Sequence, residues 1–180
     1  MSPATLLVYV SDKLACIKIV GRANFNSSMD FKTLVNELLE KKFNCFVLDL
    51  AECVLMDSTF LGVLAGFGLQ MRNGQTDGPE TNPIELMNPN PRIADLLENL
   101  GVLHLFRVVS GPLPELTAAA GQTTVAAATA SREEFVSTCL EAHKTLMAID
   151  PANVPKFKEV TQFLAEDLKK IKDAKDCGCK

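Results

Sequence analysis

The chain has 180 residues, 47% of them hydrophobic and 22% charged, with a formal net charge of −4. That much apolar material argues for a packed core and against a disordered chain. The acidic balance offers no phosphate-seeking basic surface, so nucleic acid is not expected as a direct partner.

Residues 6–10 and 14–20 are short, β-prone runs, and Ser11-Asp12-Lys13 between them supplies turn chemistry. The chain therefore opens on a β-hairpin. Residues 21–28 read as a polar loop in which Ser27 or Ser28 caps the following helix. There Phe31, Leu34, Val35, Leu38 and Leu39 recur at i, i+3, i+4, i+7 and i+8 and share one face. Residues 43–50 are almost continuously apolar, the pattern of a central strand covered on both sides. A loop ending in an extended stretch, residues 51–58, leads into a helix from Ser58 to about Arg72. Leu61, Leu64, Ala65, Gly68 and Leu69 mark its buried side, and Asn73-Gly74 is a left-handed stop signal. After a polar turn at 75–83, residues 84–87 form a short strand. Asn90-Pro91 then caps a helix bearing Ile93, Leu96, Leu97 and Leu100, and Gly101 closes it. Residues 103–109 are read as the last strand. Strands joined by helices in this order predict an α/β fold with helices packed on a mixed or parallel sheet.

The composition changes after this domain, which is placed at residues 1–110. Residues 111–130 read as an Ala/Thr-rich linker, and residues 131–175 as a helical extension. Ser131 and Glu134 form an S-x-x-E capping box. Phe135, Cys139, Ala142 and Leu146 follow at helical spacing, and Asp150-Pro151 interrupts them. Phe157, Val160, Leu164, Leu168 and Ile171 give a second helix, so the extension is a helical hairpin. Its apolar faces must bury against each other, the first domain or another protein. Lys169, Lys170, Lys172 and Lys175 lie among Asp167, Asp173 and Asp176, a solvated mixed-charge end rather than a membrane patch.

Most chemistry-bearing motifs are missing. The chain has no phosphate-cradling glycine motif and no G-x-S-x-G elbow. His104, beside the last strand, and His143, on the extension, stand in no evident nucleophile–base arrangement, so the chain is not read as an enzyme and no catalytic residue is assigned. Cys16, Cys45 and Cys53 lie in apolar segments, where a thiol packs as a small hydrophobe. Cys177 and Cys179 form a C-x-C pair without the further ligands a zinc site needs; this tail is read as exposed and frayed, and neither metal nor cofactor is expected. The longest apolar run, residues 60–69, is too short to span a bilayer, and Met1 to Thr5 lacks a basic leader region. A cytoplasmic location without membrane contact is therefore expected.

One segment concentrates the remaining signal: Leu55-Met56-Asp57-Ser58-Thr59-Phe60-Leu61-Gly62-Val63-Leu64. A hydroxyl stands where extended chain turns into a helix. Asp57 or Ser58 serves there as an N-cap. The free N–H groups and dipole of a helix start also tolerate an anion, so a phosphate on Ser58 is locally acceptable. Its charge of about −1.5 to −2, placed beside Asp57, would expel a docked partner.

The hairpin, the helix after it, the run Val47-Leu48-Asp49-Leu50 and the D-S-x-x-L-G-V-L core from Asp57 to Leu64 resemble the STAS domain, in particular the bacterial anti-sigma factor antagonists that include the sporulation antagonist. The resemblance covers about Thr5 to Val109 and includes Pro91 to Val109 as the family's third helix and last strand. It implies a STAS-like mixed sheet with helices packed on it, here followed by the C-terminal hairpin. It also implies partner switching in transcription regulation. Ser58 is then the phosphate acceptor, with Thr59 as second choice, and the partner is an anti-sigma factor that is itself a serine kinase. Phosphorylation breaks the complex, and a phosphatase restores it. Asn24, Asp57, Thr59, Phe60, Leu61 and Gly62 are the implied partner-binding residues. Phe60 replaces a small residue of the family and is expected at the exposed helix start, either as a partner anchor or as an obstacle to the kinase. The alternatives are a non-phosphorylated STAS scaffold or homo-oligomerisation subunit, and a module binding a small molecule or nucleotide.

Overall fold

The computed structural model describes residues 4–74, 84–112, 123–124 and 130–177. The elements run β1 (Thr5–Ser11), β2 (Leu14–Ala23), α1 (Phe25–Glu40), β3 (Cys45–Asp49), β4 (Cys53–Met56), α2 (Ser58–Asn73), β5 (Ile84–Met87), α3 (Pro91–Asn99), β6 (Arg107–Val109), β7 (Thr123–Thr124), α4 (Arg132–Ile149) and α5 (Val154–Cys177). The sheet order is β6-β5-β3-β2-β1-β7, with β4 pairing the far end of β2. The β1–β2 hairpin and the β1–β7 pair are antiparallel; β2–β3, β2–β4, β3–β5 and β5–β6 are parallel. The expected mixed sheet is thus the observed one.

Alternation along the strands builds the core. Leu6, Val8, Ala15, Ile17, Ile19, Phe46, Leu48, Ile84 and Leu86 point to one face and pack with Phe31, Leu34, Val35 and Leu38 of α1 and Phe60, Leu61, Leu64 and Phe67 of α2. Phe67 sits at the centre of an aromatic group, with its ring edge-on to Phe46 at 4.9 Å and to Phe31 at 6.1 Å. On the opposite face Cys16, Val47 and Met87 form a smaller buried cluster. Coverage of both sides explains the unbroken apolar character of β3, in which Phe46 through Asp49 are all buried.

Several local expectations are corrected. The loop expected at 21–28 shrinks to Asn24, because β2 continues to Ala23 and α1 begins at Phe25. Asn24 is the cap; Ser27, the third helical residue, completes a capping box by accepting from the Asn24 N–H at 2.9 Å. The extended stretch before Ser58 is a paired strand, β4. Gly74 ends α2 with φ −86°, so no left-handed stop is used there, whereas Gly101 does take φ +68°. Residues 103–109 are not one strand: Leu103–Leu105 forms a 3-10 turn that buries Leu105, and only Arg107–Val109 pairs with β5. Cys16 and Cys53 are buried as expected, but Cys45 is exposed.

Most of the segment read as a linker, residues 111–130, and the residues after Cys177, including Cys179, lie outside the described residues. Within the former, Thr123–Thr124 adds a short strand to β1. The helical hairpin is present. Its capping box forms between Ser131 and Glu134, and Asp150 caps the 3-10 turn Pro151–Asn153 that reverses the chain. The hairpin packs on the first domain. Leu146 is fully buried in the main core, and Asn153, also fully buried, donates to the carbonyls of Leu100 (2.9 Å) and Leu146 (3.0 Å). α5 lies outermost. Of its expected apolar positions, Phe157, Leu164, Leu168 and Ile171 are half-buried and Val160 is exposed, as is Phe163 at 69%.

Candidate functional site

The parallel pairing of Arg22 with Leu55 and of Ala23 with Met56 ends β2 and β4 side by side, so the two helices that follow start side by side. Each start is capped by a side chain. The Asn24 Oδ1 accepts from the N–H groups of Asn26 (3.1 Å) and Ser27 (3.2 Å). The Asp57 carboxylate does more. Its Oδ1 accepts from the Phe60 N–H at 2.8 Å inside its own helix, and its Oδ2 accepts from the Phe25 N–H at 2.7 Å at the start of α1. One carboxylate thereby satisfies donors of both helices. Asn24 and Asp57 are brought together as the sequence reading groups them, but as caps.

Ser58 is the first residue of α2 and is half-buried. Its hydroxyl lies 3.0 Å from Nε2 of His143, a residue of α4 far away in sequence. Nδ1 of the same ring lies 2.7 Å from the Cys139 carbonyl. A carbonyl only accepts, so Nδ1 carries a proton; in the neutral ring Nε2 is then bare and accepts the Ser58 proton. His143 is 5% exposed and packs edge-on against Phe157 of α5 at 5.1 Å. The sequence shows no partner for either side chain, and the tertiary structure brings the two into hydrogen-bond contact.

The neighbours of Ser58 face α4 as well. Thr59 is buried beside Cys139, whose thiol pKa is raised chiefly by burial. At Gly62 the approach is closer still: a Cβ there would lie 2.5 Å from the Ala142 carbonyl oxygen and 2.7 Å from the Ala142 Cβ. Only glycine fits. α1 forms the second wall. Lys32 pairs with Glu141 of α4 at 2.7 Å, and the Phe25 ring meets Phe135 edge-on at 5.2 Å. α4 therefore lies in a groove between α1 and α2, directly over Ser58, Thr59 and Gly62.

Two of the implied partner-binding residues are placed elsewhere. Phe60 is not at the exposed helix start: it is fully buried, 5.1 Å from the Phe31 ring, because the third residue of α2 turns inward to the sheet. Leu61 is 1% exposed and belongs to the same core. His104 is exposed. Sequence reasoning missed His143; its position on the apolar face of the predicted helix, one residue after Ala142, was the only available signal.

A small cavity of about 130 Å³ lies beside this groove, lined by Lys32, Val35, Gly62, Gly66, Phe67 and Glu141 among others. It is well below the roughly 300–1,000 Å³ of a usual ligand pocket. Among the described residues no cluster of three or more metal-ligating side chains occurs, and no helix is long and apolar enough to cross a membrane.

The comparisons with known proteins match this architecture. No curated protein matches the chain. Among solved structures, a candidate anti-sigma factor antagonist from Thermotoga maritima superposes with a TM-score of 0.50 at 19% identity, over 59% of this chain and 86% of that one. The anti-sigma factor antagonist SpoIIAA in its unphosphorylated form gives 0.49 at 15% identity, over 59% and 88%. At 19% identity the first of these likenesses speaks for the fold alone. The family model of the STAS domain matches residues 5–113, from the first strand to just past β6. That span is more than half of the chain and holds both capped helix starts, and the chain belongs to the STAS domain family.

Proposed function

We propose that this protein is an anti-sigma factor antagonist of the partner-switching kind, a non-enzymatic cytoplasmic regulator of transcription whose binding to an anti-sigma serine kinase is controlled by phosphorylation of Ser58. One observation supports the reading: Ser58, the acceptor that the family resemblance implies, opens α2 directly after its Asp57 cap, on the face where the two helix starts meet. Asn24 and Asp57 shape that face, and Thr59 and Gly62 lie along it. Phosphate on Ser58 would place about two negative charges beside Asp57 and disfavour an apposed protein. Thr59, which is buried, is the poorer acceptor. Phe60 and Leu61 support the surface from beneath.

The test is the phosphorylation state of the protein taken from its own cells, by intact mass and peptide mapping, together with co-purification of Ser58→Ala and Ser58→Asp. Phosphate on Ser58, with a serine kinase retained by Ser58→Ala and lost by Ser58→Asp, is the expected result. Equal retention by both variants refutes it.

A second reading is favoured by the contact between Ala142 and Gly62: a STAS scaffold whose docking face is permanently filled by its own helix. It predicts no phosphate on Ser58 under any growth condition.

A further inference from the structure

α4 packs on α2 and also touches α1, so one helix already occupies the surface these two present. We propose that α4 is a cis-acting competitor: it fills a helix-binding groove, withholds Ser58, and leaves before either a partner docks or Ser58 is modified. The inference rests on the partner-switching reading for what happens at Ser58, and on geometry alone for the groove.

Four contacts define the groove, and each states what an occupant must offer. Gly62 demands a small residue, supplied by Ala142, because even a methyl group on Gly62 would meet the Ala142 backbone at 2.5 Å. Ser58 donates to an acceptor, supplied by the Nε2 of His143 at 3.0 Å. Lys32 takes an acidic residue, Glu141, at 2.7 Å. Phe25, 42% exposed even with α4 in place, takes an aromatic ring, Phe135, at 5.2 Å. Three of these residues are consecutive, 141, 142 and 143, and the fourth lies about two turns earlier, so a single helix presents all of them. A partner that uses the same face is therefore a protein presenting an amphipathic helix with a small residue, an acceptor and a carboxylate in that arrangement. It and α4 exclude each other, since the contact at Gly62 leaves no space for a second backbone.

Ser58 is withheld for the same reason. Its hydroxyl is engaged by Nε2 of His143, and the ring is held by the Cys139 carbonyl on one side and Phe157 on the other. An enzyme that transfers a phosphoryl group to Oγ needs in-line access to that oxygen, with the proton leaving for its own base. Under α4 that oxygen is engaged by the His143 ring, and Ser58 is half-buried.

The test uses the full chain as wild type, Ala142→Arg and His143→Ala. Arginine at 142 drives α4 off Gly62, and alanine at 143 removes the Ser58 partner; neither changes a residue of the first domain. Amide exchange of β3 and β5, unchanged from wild type, shows that each variant is folded. Two quantities are then read. The first is binding of a synthetic peptide of residues 130–150 to each protein. Ala142→Arg is expected to bind it at least about tenfold more tightly than wild type, as a vacated site does relative to an occupied one. Equal binding, or none by either, overturns the groove as a helix site. The second is the Ser58 phosphate fraction when each form replaces the native copy in its own cells. A higher fraction in both variants supports the proposal. Equal, non-zero fractions in all three overturn the proposal and leave the partner-switching reading standing. No phosphate in any form removes the partner-switching reading and, with it, the withholding of Ser58.

Discussion

At the scale of single residues, burial separates the side chains that hold the fold from those that face partners. Phe60 and Ser58 are two positions apart in α2, yet one is sealed beneath the sheet-facing side and the other faces α4. Phe60→Ala is therefore expected to cost about 3–5 kcal/mol of stability, the range for an aromatic deleted from a core, measurable by urea unfolding. A loss below about 1 kcal/mol would contradict its placement. The cysteines sort the same way. Burial and the nearby Asp49 charge push the Cys16 thiol up to about 11, and burial raises Cys53 and Cys139. Few thiolates exist at those three sites near neutral pH, and only the thiolate reacts. Peptide mapping after brief iodoacetamide treatment of the native protein should find Cys45 alkylated well ahead of Cys16, Cys53 and Cys139. The sequence, which put Cys16, Cys45 and Cys53 in one class, had no means of ranking them. All three sit in strand-forming apolar runs, and Cys45 shares a sheet face with the buried Cys16 and Val47; it is exposed because it is the first residue of β3, at the end of the covered part of the strand.

At the scale of elements, caps and helix contacts decide how α1, α2 and α4 are held. Asp57→Ala removes the acceptor for both the Phe60 and Phe25 N–H groups. A loss of about 2 kcal/mol is expected, at the upper end for a single N-cap because two helices lose a partner. Asp57→Asn should recover part of it, and thermal unfolding would show both. The start of α4 carries a pH dependence. The Ser131 N–H and hydroxyl hold Glu134 below the usual carboxylate value, and Lys175 does the same for Glu133. Groups depressed in the folded state add stability that is complete above the ordinary value of 4.5 and is lost as pH falls through their folded values. Protection of the amides over the first turn of α4, taken relative to their intrinsic exchange rates at each pH, should accordingly be constant near neutral pH and fall in acid below about 4.5. No change down to pH 3 would show that the capping box contributes nothing there. Element identity was largely legible: the hairpin, three helices of the first domain and both helices of the extension follow from periodicity and caps. The errors fell at boundaries. Asn24 was passed over for Ser27 and Ser28 because any of the three satisfies the cap rule, and the choice was set by how far β2 runs alongside β4.

At the scale of the whole molecule, the extension is tied to the STAS domain at both ends of α4. One tie is the groove over Ser58. The other is Asn153, whose side-chain NH2 bridges the Leu100 and Leu146 carbonyls while Lys156 reaches the Asn99 carbonyl. Asn153→Ala leaves two buried carbonyls without that donor and should cost about 2 kcal/mol. In a domain of this size that corresponds to a fall in Tm of roughly 4–8 °C. An unchanged Tm would mean that the turn of the hairpin is not docked in solution. The outer side of α5 contributes less, with Phe163 and Val160 exposed to solvent.

The sequence by itself determined what depends on neighbours along the chain: the strand and helix periods, the Ser131 cap and a cap at Asp57 or Ser58, the D-S-x-x-L-G-V-L core, and through them the STAS family and the candidate acceptor Ser58. The sequence reading left open where the hairpin's apolar faces bury, and assigned His143 no role. Only the tertiary structure decided that α4 lies on Gly62 and that His143, 85 residues away along the chain, lies within hydrogen-bond distance of Ser58. The reason is physical. Caps and amphipathic faces are set by contacts a few residues apart, whereas the pairing of one helix face with another depends on the shape left between α1 and α2, which exists only once the sheet has positioned both.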